Sequence, residues 1–163
     1  MADDIEARVR AQAAALGVDV IDCDPALADT ADFCRAYGYA LEDSANCVVV
    51  VGKSDPPVFA ACLVLASTRL DVNGVVRRRL GTRKASFAPP DDVVAATGME
   101  IGGVTPLALP PELPLWVDAR VMQRSEVVVG GGSRACKVVG APAFLTRLGA
   151  DIVEDLAKPS TAA

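Results

Sequence analysis

Histidine is absent from this chain. Without an imidazole there is no Ser-His-Asp triad, no Cys-His nucleophile pair and no histidine metal ligand. The cysteines do not fill that gap. Cys23, Cys34, Cys47, Cys62 and Cys136 are odd in number, scattered, and form no Cys-x-x-Cys pair. They read as small core residues of a reducing compartment, and no metal is expected. No apolar run approaches the ~20 residues of a membrane span, so no membrane partner is expected. A Walker lysine motif is missing, and no cofactor is expected. The opening Met-Ala-Asp-Asp-Ile-Glu is acidic where a secretion signal is positive, which makes the cytoplasm the expected compartment. Any catalysis has to use carboxylates, lysine, hydroxyls, thiols, backbone amides or groups on the substrate.

What is present is apolar. Hydrophobic residues make up 52% of 163 positions, enough for one domain with a substantial core. A net charge of −5 argues against a general nucleic-acid binder. The cations are uneven, though: five of the sixteen lie between Arg77 and Lys84. Such a run is most often a solvated face. On an acidic protein it is also the place where Arg77, Arg78, Arg79 and Lys84 would meet a phosphate backbone.

Apolar spacing predicts a helix over 4–16 (Ile5, Val9, Ala13, Leu16) closed by Gly17, then a strand at 18–21. Asp29 or Thr30 caps a helix to Tyr37, stopped by Gly38. Two continuous apolar runs, 47–51 and 58–66, form a hairpin whose strands are buried on both faces. Asp71 caps a short helix to Leu80, 84–87 is a strand, and Pro89-Pro90-Asp91-Asp92 starts a helix ending near Thr97. Strands at 115–118, 126–129 and 134–139, a helix at 142–148 and an edge strand at 151–154 complete the pattern. The expected architecture is α/β: a single domain (1–155) with a mixed, mostly antiparallel, barrel-like sheet surrounded by short helices. Residues 156–163 are expected to form a frayed tail.

The organising stretch is Thr97-Gly98-Met99-Glu100-Ile101-Gly102-Gly103-Val104-Thr105-Pro106. Gly98 can take the left-handed position after a helix, Gly102 and Gly103 remove two β-carbons, and Pro106 stiffens the exit. A stiff loop with bare peptide N–H groups suits a carbonyl or phosphate oxygen. Alone, a Gly-Gly pair is more often a plain turn. Asp118, which closes an apolar strand, reads equally as a helix cap or as a ligand contact. Thr105 taken alone is an ordinary loop threonine. Phe33, Tyr37 and Tyr39 read mainly as packing, with one of them able to wall a pocket. Gly130-x-Gly132-x-x-Ala135 fits a dinucleotide fingerprint only formally, because a strand rather than a helix follows it. It is kept as a hairpin turn.

Taken in order, these pieces resemble the YbaK/EbsC family, the prolyl-tRNA synthetase-associated editing domain. The resemblance spans roughly residues 28–150. It rests on an apolar strand pair, Leu80-Gly81-Thr82-Arg83-Lys84, the Gly102–Pro106 loop, Trp116-Val117-Asp118, and the Val127–Arg134 strand and glycine turn. It implies a cytosolic deacylase that hydrolyses mischarged aminoacyl-tRNA in trans, with aminoacyl-tRNA and a synthetase as partners. Gly102, Gly103, Thr105 and Pro106 would bind the ester, and Gly130, Gly131 and Gly132 would border the same pocket with Asp118. Relatives commonly carry a lysine where Asn46 stands here, and an uncharged or acidic residue where Lys137 stands. Asn46 can hydrogen-bond but brings no charge. Lys137 is therefore expected to supply the missing cation from across the pocket. The alternatives are a non-catalytic module of the same fold that binds aminoacyl-tRNA or a synthetase, and a small-molecule esterase or amidase.

Overall fold

The computed structural model describes the backbone of residues 2–160 and the side chains of 4–160. Helix α1 (Ala2–Leu16) buries Ile5, Val9 and Ala13 on one stripe, as the three- and four-residue spacing requires. Gly17 turns the chain into strand β1 (Asp19–Asp22). Helix α2 (Thr30–Tyr37) begins at Asp29 and ends at Gly38, and it buries Phe33 and Cys34.

The long hairpin follows. Strand β2 (Ala45–Gly52) pairs with β3 (Val58–Leu65) along its whole length. Strand β3 is covered on both faces, as its unbroken apolar run predicts. Ala61, Leu63 and Leu65 point into one core with Val9, Leu107, Val117, Val129, Val138 and Leu145. Ala60, Cys62 and Val64 point into a second core with Val76, Trp116, Val153 and Leu156.

Strand β4 (Thr68–Leu70) leads to a widened turn at Val72–Val76, where Asp71 accepts hydrogen bonds from the Gly74 and Val75 amides. Helix α3 (Arg77–Leu80) carries the arginine run. Strand β5 (Ala85–Phe87) and helix α4 (Pro90–Thr97) follow, and α4 closes on Gly98 at φ 71. Strand β6 (Leu115–Asp118), β7 (Val127–Gly130), β8 (Cys136–Gly140), helix α5 (Ala143–Arg147), β9 (Asp151–Val153) and β10 (Ala157–Pro159) complete the order.

The strands make three sheets, in orders β5-β2-β3-β6-β9, β1-β8-β7 and β4-β10. Of the described strand pairs, only β3–β6 and β6–β9 are parallel. Among the described residues, a single bridge between Ser44 and Val128 joins the first two sheets. The fold is thus the mixed α/β domain expected, but its sheets do not close into a barrel. The expected frayed tail also needs correction. Leu156 and Ala157 are fully buried, and β10 pairs residue for residue with β4. Residues 161–163 of that tail lie outside the described residues. Neither short strand has enough apolar pattern to be read alone, because each exists only through its partner.

Candidate functional site

A cavity of about 290 Å³ opens where the two larger sheets meet. Its walls come from the start of β2, the first turn of α2, the loop after α4, and β7 and β8.

The glycine loop and the glycine turn form one interlocked wall. Glu100 N–H donates to the Gly132 carbonyl (3.1 Å), Gly132 N–H donates to the Gly103 carbonyl (2.6 Å), and Gly103 N–H donates to the Glu100 carbonyl (2.9 Å). Contact is so close that a β-carbon on Gly103 would strike the Ser133 backbone, and one on Gly130 would strike the Val104 carbonyl. Glycine is needed at both for that reason. Helix α1 braces the turn from behind: Ser133 Oγ donates to Glu6, and Gly132 lies against Val9 and Ile5. Among the described residues, the Gly102 and Val104 amides have no protein acceptor, and both residues line the cavity.

Lys137 faces them from β8, with only 8% of its surface exposed. Strand alternation sends Val138 into the main core, so Lys137 emerges on the opposite face, under α2. Its Nζ donates to the Ala28 carbonyl at 2.7 Å and lies 5.4 Å from the centre of the Phe33 ring. An ammonium has three N–H groups, so two remain for a ligand. Burial lowers the Lys137 pKa below its usual value, with Cys23, Cys34 and Asp29 opposing that shift and Arg134 reinforcing it.

Asn46 stands at the mouth of the cavity. The Thr30 hydroxyl donates to its Oδ1 at 3.0 Å, which leaves the Asn46 amide N–H pair free as donors. On the rim Arg134 pairs with Asp29 at 3.2 Å and donates to the Pro25 carbonyl. The Cys47 thiol also borders the space, but burial pushes its pKa up to about 12. It stays protonated near neutral pH and is a poor nucleophile.

The structure therefore brings Asn46, Gly102, Gly130 and Lys137 to one cavity. Gly103, Gly131 and Gly132 hold the wall without lining the space. Thr105 and Pro106 are displaced from their expected place. Thr105 is fully buried, its Oγ1 accepts from Leu107 N–H, and its own N–H faces the Met99 sulfur. Pro106 lines a separate depression beside Gln12 and Leu109. Asp118 is neither ligand contact nor helix cap. It is buried at the end of β6 and paired with Arg120 at 3.4 Å, and Arg120 also holds Asp155 and the Ala157 carbonyl. Desolvation raises the Asp118 pKa, and Arg120 and nearby backbone groups oppose that shift. The arginine run and Lys84 are elsewhere too. Arg77 donates to the Asn73 carbonyl, Arg79 pairs with Asp151 over the Trp116 ring, and Lys84 lines a depression at the hairpin loop.

Sequence reasoning missed Thr30, Asp29, Ala28 and Phe87 as lining residues. Thr30 and Asp29 carry only a helix-start signal. Of Phe33, Tyr37 and Tyr39, Phe33 is the one that walls the pocket.

Residues 24–148 match the aminoacyl-tRNA editing domain. The chain belongs to that family. A relative in Enterococcus faecalis, the candidate Cys-tRNA(Pro)/Cys-tRNA(Cys) deacylase EbsC, is 26% identical over 101 residues, 62% of this chain and 60% of its own. The match therefore spans about three fifths of that relative's length. The crystal structure of a candidate trans-editing enzyme for prolyl-tRNA synthetase superposes with a TM-score of 0.80 at 25% identity, covering 96% of this chain and 98% of the other. A hypothetical protein of known structure gives a TM-score of 0.81 at 24% identity, with 93% and 99% covered, and shows the shared fold. Among the described residues of this editing domain, no helix is long and apolar enough to cross a membrane.

Proposed function

We propose that this editing domain is a deacylase that acts in trans on mischarged aminoacyl-tRNA in the cytoplasm. Its partners in this reading are the charged tRNA and, at the point of release, an aminoacyl-tRNA synthetase. The observation that carries the reading is the convergence of free amides and a buried cation on a small cavity. Gly102, Val104 and Lys137 line the same space; among the described residues the two amides have no protein acceptor, and Lys137 has N–H groups beyond the one given to Ala28.

An aminoacyl ester is already activated, since its leaving group is a ribose hydroxyl. Water adds to the carbonyl carbon, and negative charge develops on the carbonyl oxygen. Donors fixed around that oxygen stabilise the charge, and each such donor is worth ~2.7–4 kcal/mol. The C–O bond then breaks: one proton of the attacking water passes to the ribose oxygen, the other is released to solvent, and the free amino acid leaves as its carboxylate. Asn46 holds the sugar at the mouth through its free amide. Lys137 supplies the cation that Asn46 lacks. The absence of histidine is compatible with this route because positioning and electrostatics do the work.

Incubating the purified protein with a panel of tRNAs, each charged with a cognate or a non-cognate amino acid, tests the reading. Release of one or a few amino acids is expected, with Lys137→Ala slowing release by about a hundredfold, the size of one lost oxyanion donor. Retention of every ester, with tRNA or synthetase still bound, would instead support the non-catalytic module suggested by Asn46. Turnover of small esters alone would support an esterase.

A further inference from the structure

A second groove, of about 680 Å³, adjoins the acyl cavity and shares Asn46, Val48 and Phe87 with it. Its far side is made by β4, β10 and the turn after β4, and it carries Arg69, Asn73 and Lys158. Arg69 and Lys158 sit directly opposite each other in the antiparallel β4–β10 pair. Like charges in that position repel. Little nearby relieves them. Lys158 reaches Asp71 only at 3.7 Å, and Asp71 is already accepting from the Gly74 and Val75 amides. Among the described residues Arg69 has no carboxylate partner. At the boundary between cavity and groove stands Phe87, on edge strand β5, with 59% of its surface exposed.

We infer that this groove receives the single-stranded 3′ end of the RNA. The inference rests on the deacylase reading for its orientation. The ester lies on the terminal ribose, so an acyl group in the cavity puts that ribose at Asn46 and the next phosphates one nucleotide further out. Phe87 is placed to stack the terminal base, and Arg69 and Lys158 to take the phosphates behind it. A cation without a carboxylate partner, a second held only by a long contact to Asp71, an exposed ring and a passage to the ester cavity are the parts such a strand requires. Arg79 of α3 does not meet this description, because it is held by Asp151, lies over Trp116 and lines a different surface.

The test is binding of an uncharged, fluorescein-labelled RNA microhelix ending in CCA, followed by anisotropy over a range of salt. The unmodified protein is expected to bind it, and to bind the same hairpin without CCA at least tenfold more weakly. Replacing both Arg69 and Lys158 with alanine is expected to weaken binding tenfold or more and to reduce the salt slope by about 1.4, as for two single-strand phosphates. Phe87→Ala is expected to cost roughly tenfold, about one base stack, with no change in slope. Arg69→Glu gives a stringent check, because it creates an ion pair with Lys158: thermal stability should hold or rise while RNA affinity falls. Undiminished binding by the double variant, or no CCA-dependent binding by the unmodified protein, overturns the inference. Uncharged RNA separates this from the chemistry. A protein that binds CCA through these residues but cleaves no charged tRNA refutes the deacylase reading alone. One that cleaves charged tRNA but ignores the substitutions refutes the groove alone.

Discussion

Lys137 is buried because period-2 alternation along β8 gives it no other choice. Val138 belongs to the core, so its neighbours must face the other way, into the space under α2. The Ala28 carbonyl and the Phe33 face compensate only part of what the ammonium loses on leaving water. Because burial lowers its pKa in the folded state, the unfolded chain holds more protons between that lowered value and 10.5. Folding stability from this group therefore rises as pH climbs through that window. Urea unfolding of the unmodified protein and of Lys137→Met should show it. The unmodified protein is expected to gain on the variant as pH rises from neutral towards 10.5. Parallel pH profiles would mean that Lys137 is not desolvated. That Lys137 would face the glycine turn's cavity was legible from its place beside that turn. Its partners were not, because Ala28 and Phe33 are 109 and 104 positions away in the chain. Thr105 shows the opposite error: a hydroxyl in a glycine-rich loop looked available, but the loop folds it inward under Leu107 N–H.

Among the elements, the loop after α4 and the turn between β7 and β8 work as one piece. Their mutual hydrogen bonds leave Gly102 and Val104 N–H free while using those of Gly103 and Gly132. A methyl group on Gly103 would press on the Ser133 backbone, which has no freedom to retreat. Gly103→Ala is expected to destabilise the fold by about 2 kcal/mol through overpacking and to abolish deacylation. Denaturant midpoints and initial rates check the two effects separately. Helix limits, the long hairpin and the glycine loop were legible, because caps, glycines and unbroken apolar runs act locally. Strands β4 and β10 were not, since three-residue strands are defined by pairing and not by pattern. The same long-range logic governs Asp118. Arg120 links that buried carboxylate to Asp155 and the Ala157 carbonyl, and so fastens β10 to the end of β6. Arg120→Ala is expected to cost about 2 kcal/mol, trimmed from the full value for a broken buried pair because Arg120 is part-exposed. It should also release β10, read as faster amide exchange at 157–159.

At the scale of the whole molecule, net charge −5 coexists with locally grouped cations. The charges are separated by position. Lys137 lies beneath α2, Arg69 and Lys158 share one groove, and Arg10, Arg79, Arg124 and Arg134 are each paired with an aspartate from another part of the fold. Two sheets joined by the single Ser44–Val128 bridge leave a seam between them, and the cavity occupies that seam. Composition could not show this, because the seam depends on where the sheets fail to close. The central claim is that the bare amides of Gly102 and Val104 hold the acyl oxygen. A crystal structure of the protein with a non-hydrolysable 3′-aminoacylamino adenosine tests it directly. The account predicts the acyl carbonyl oxygen within about 3 Å of those two nitrogens, hydrogen-bond distance, with Lys137 Nζ beside the acyl group. An acyl carbonyl turned away from the glycine loop, with both amides facing solvent, would contradict it.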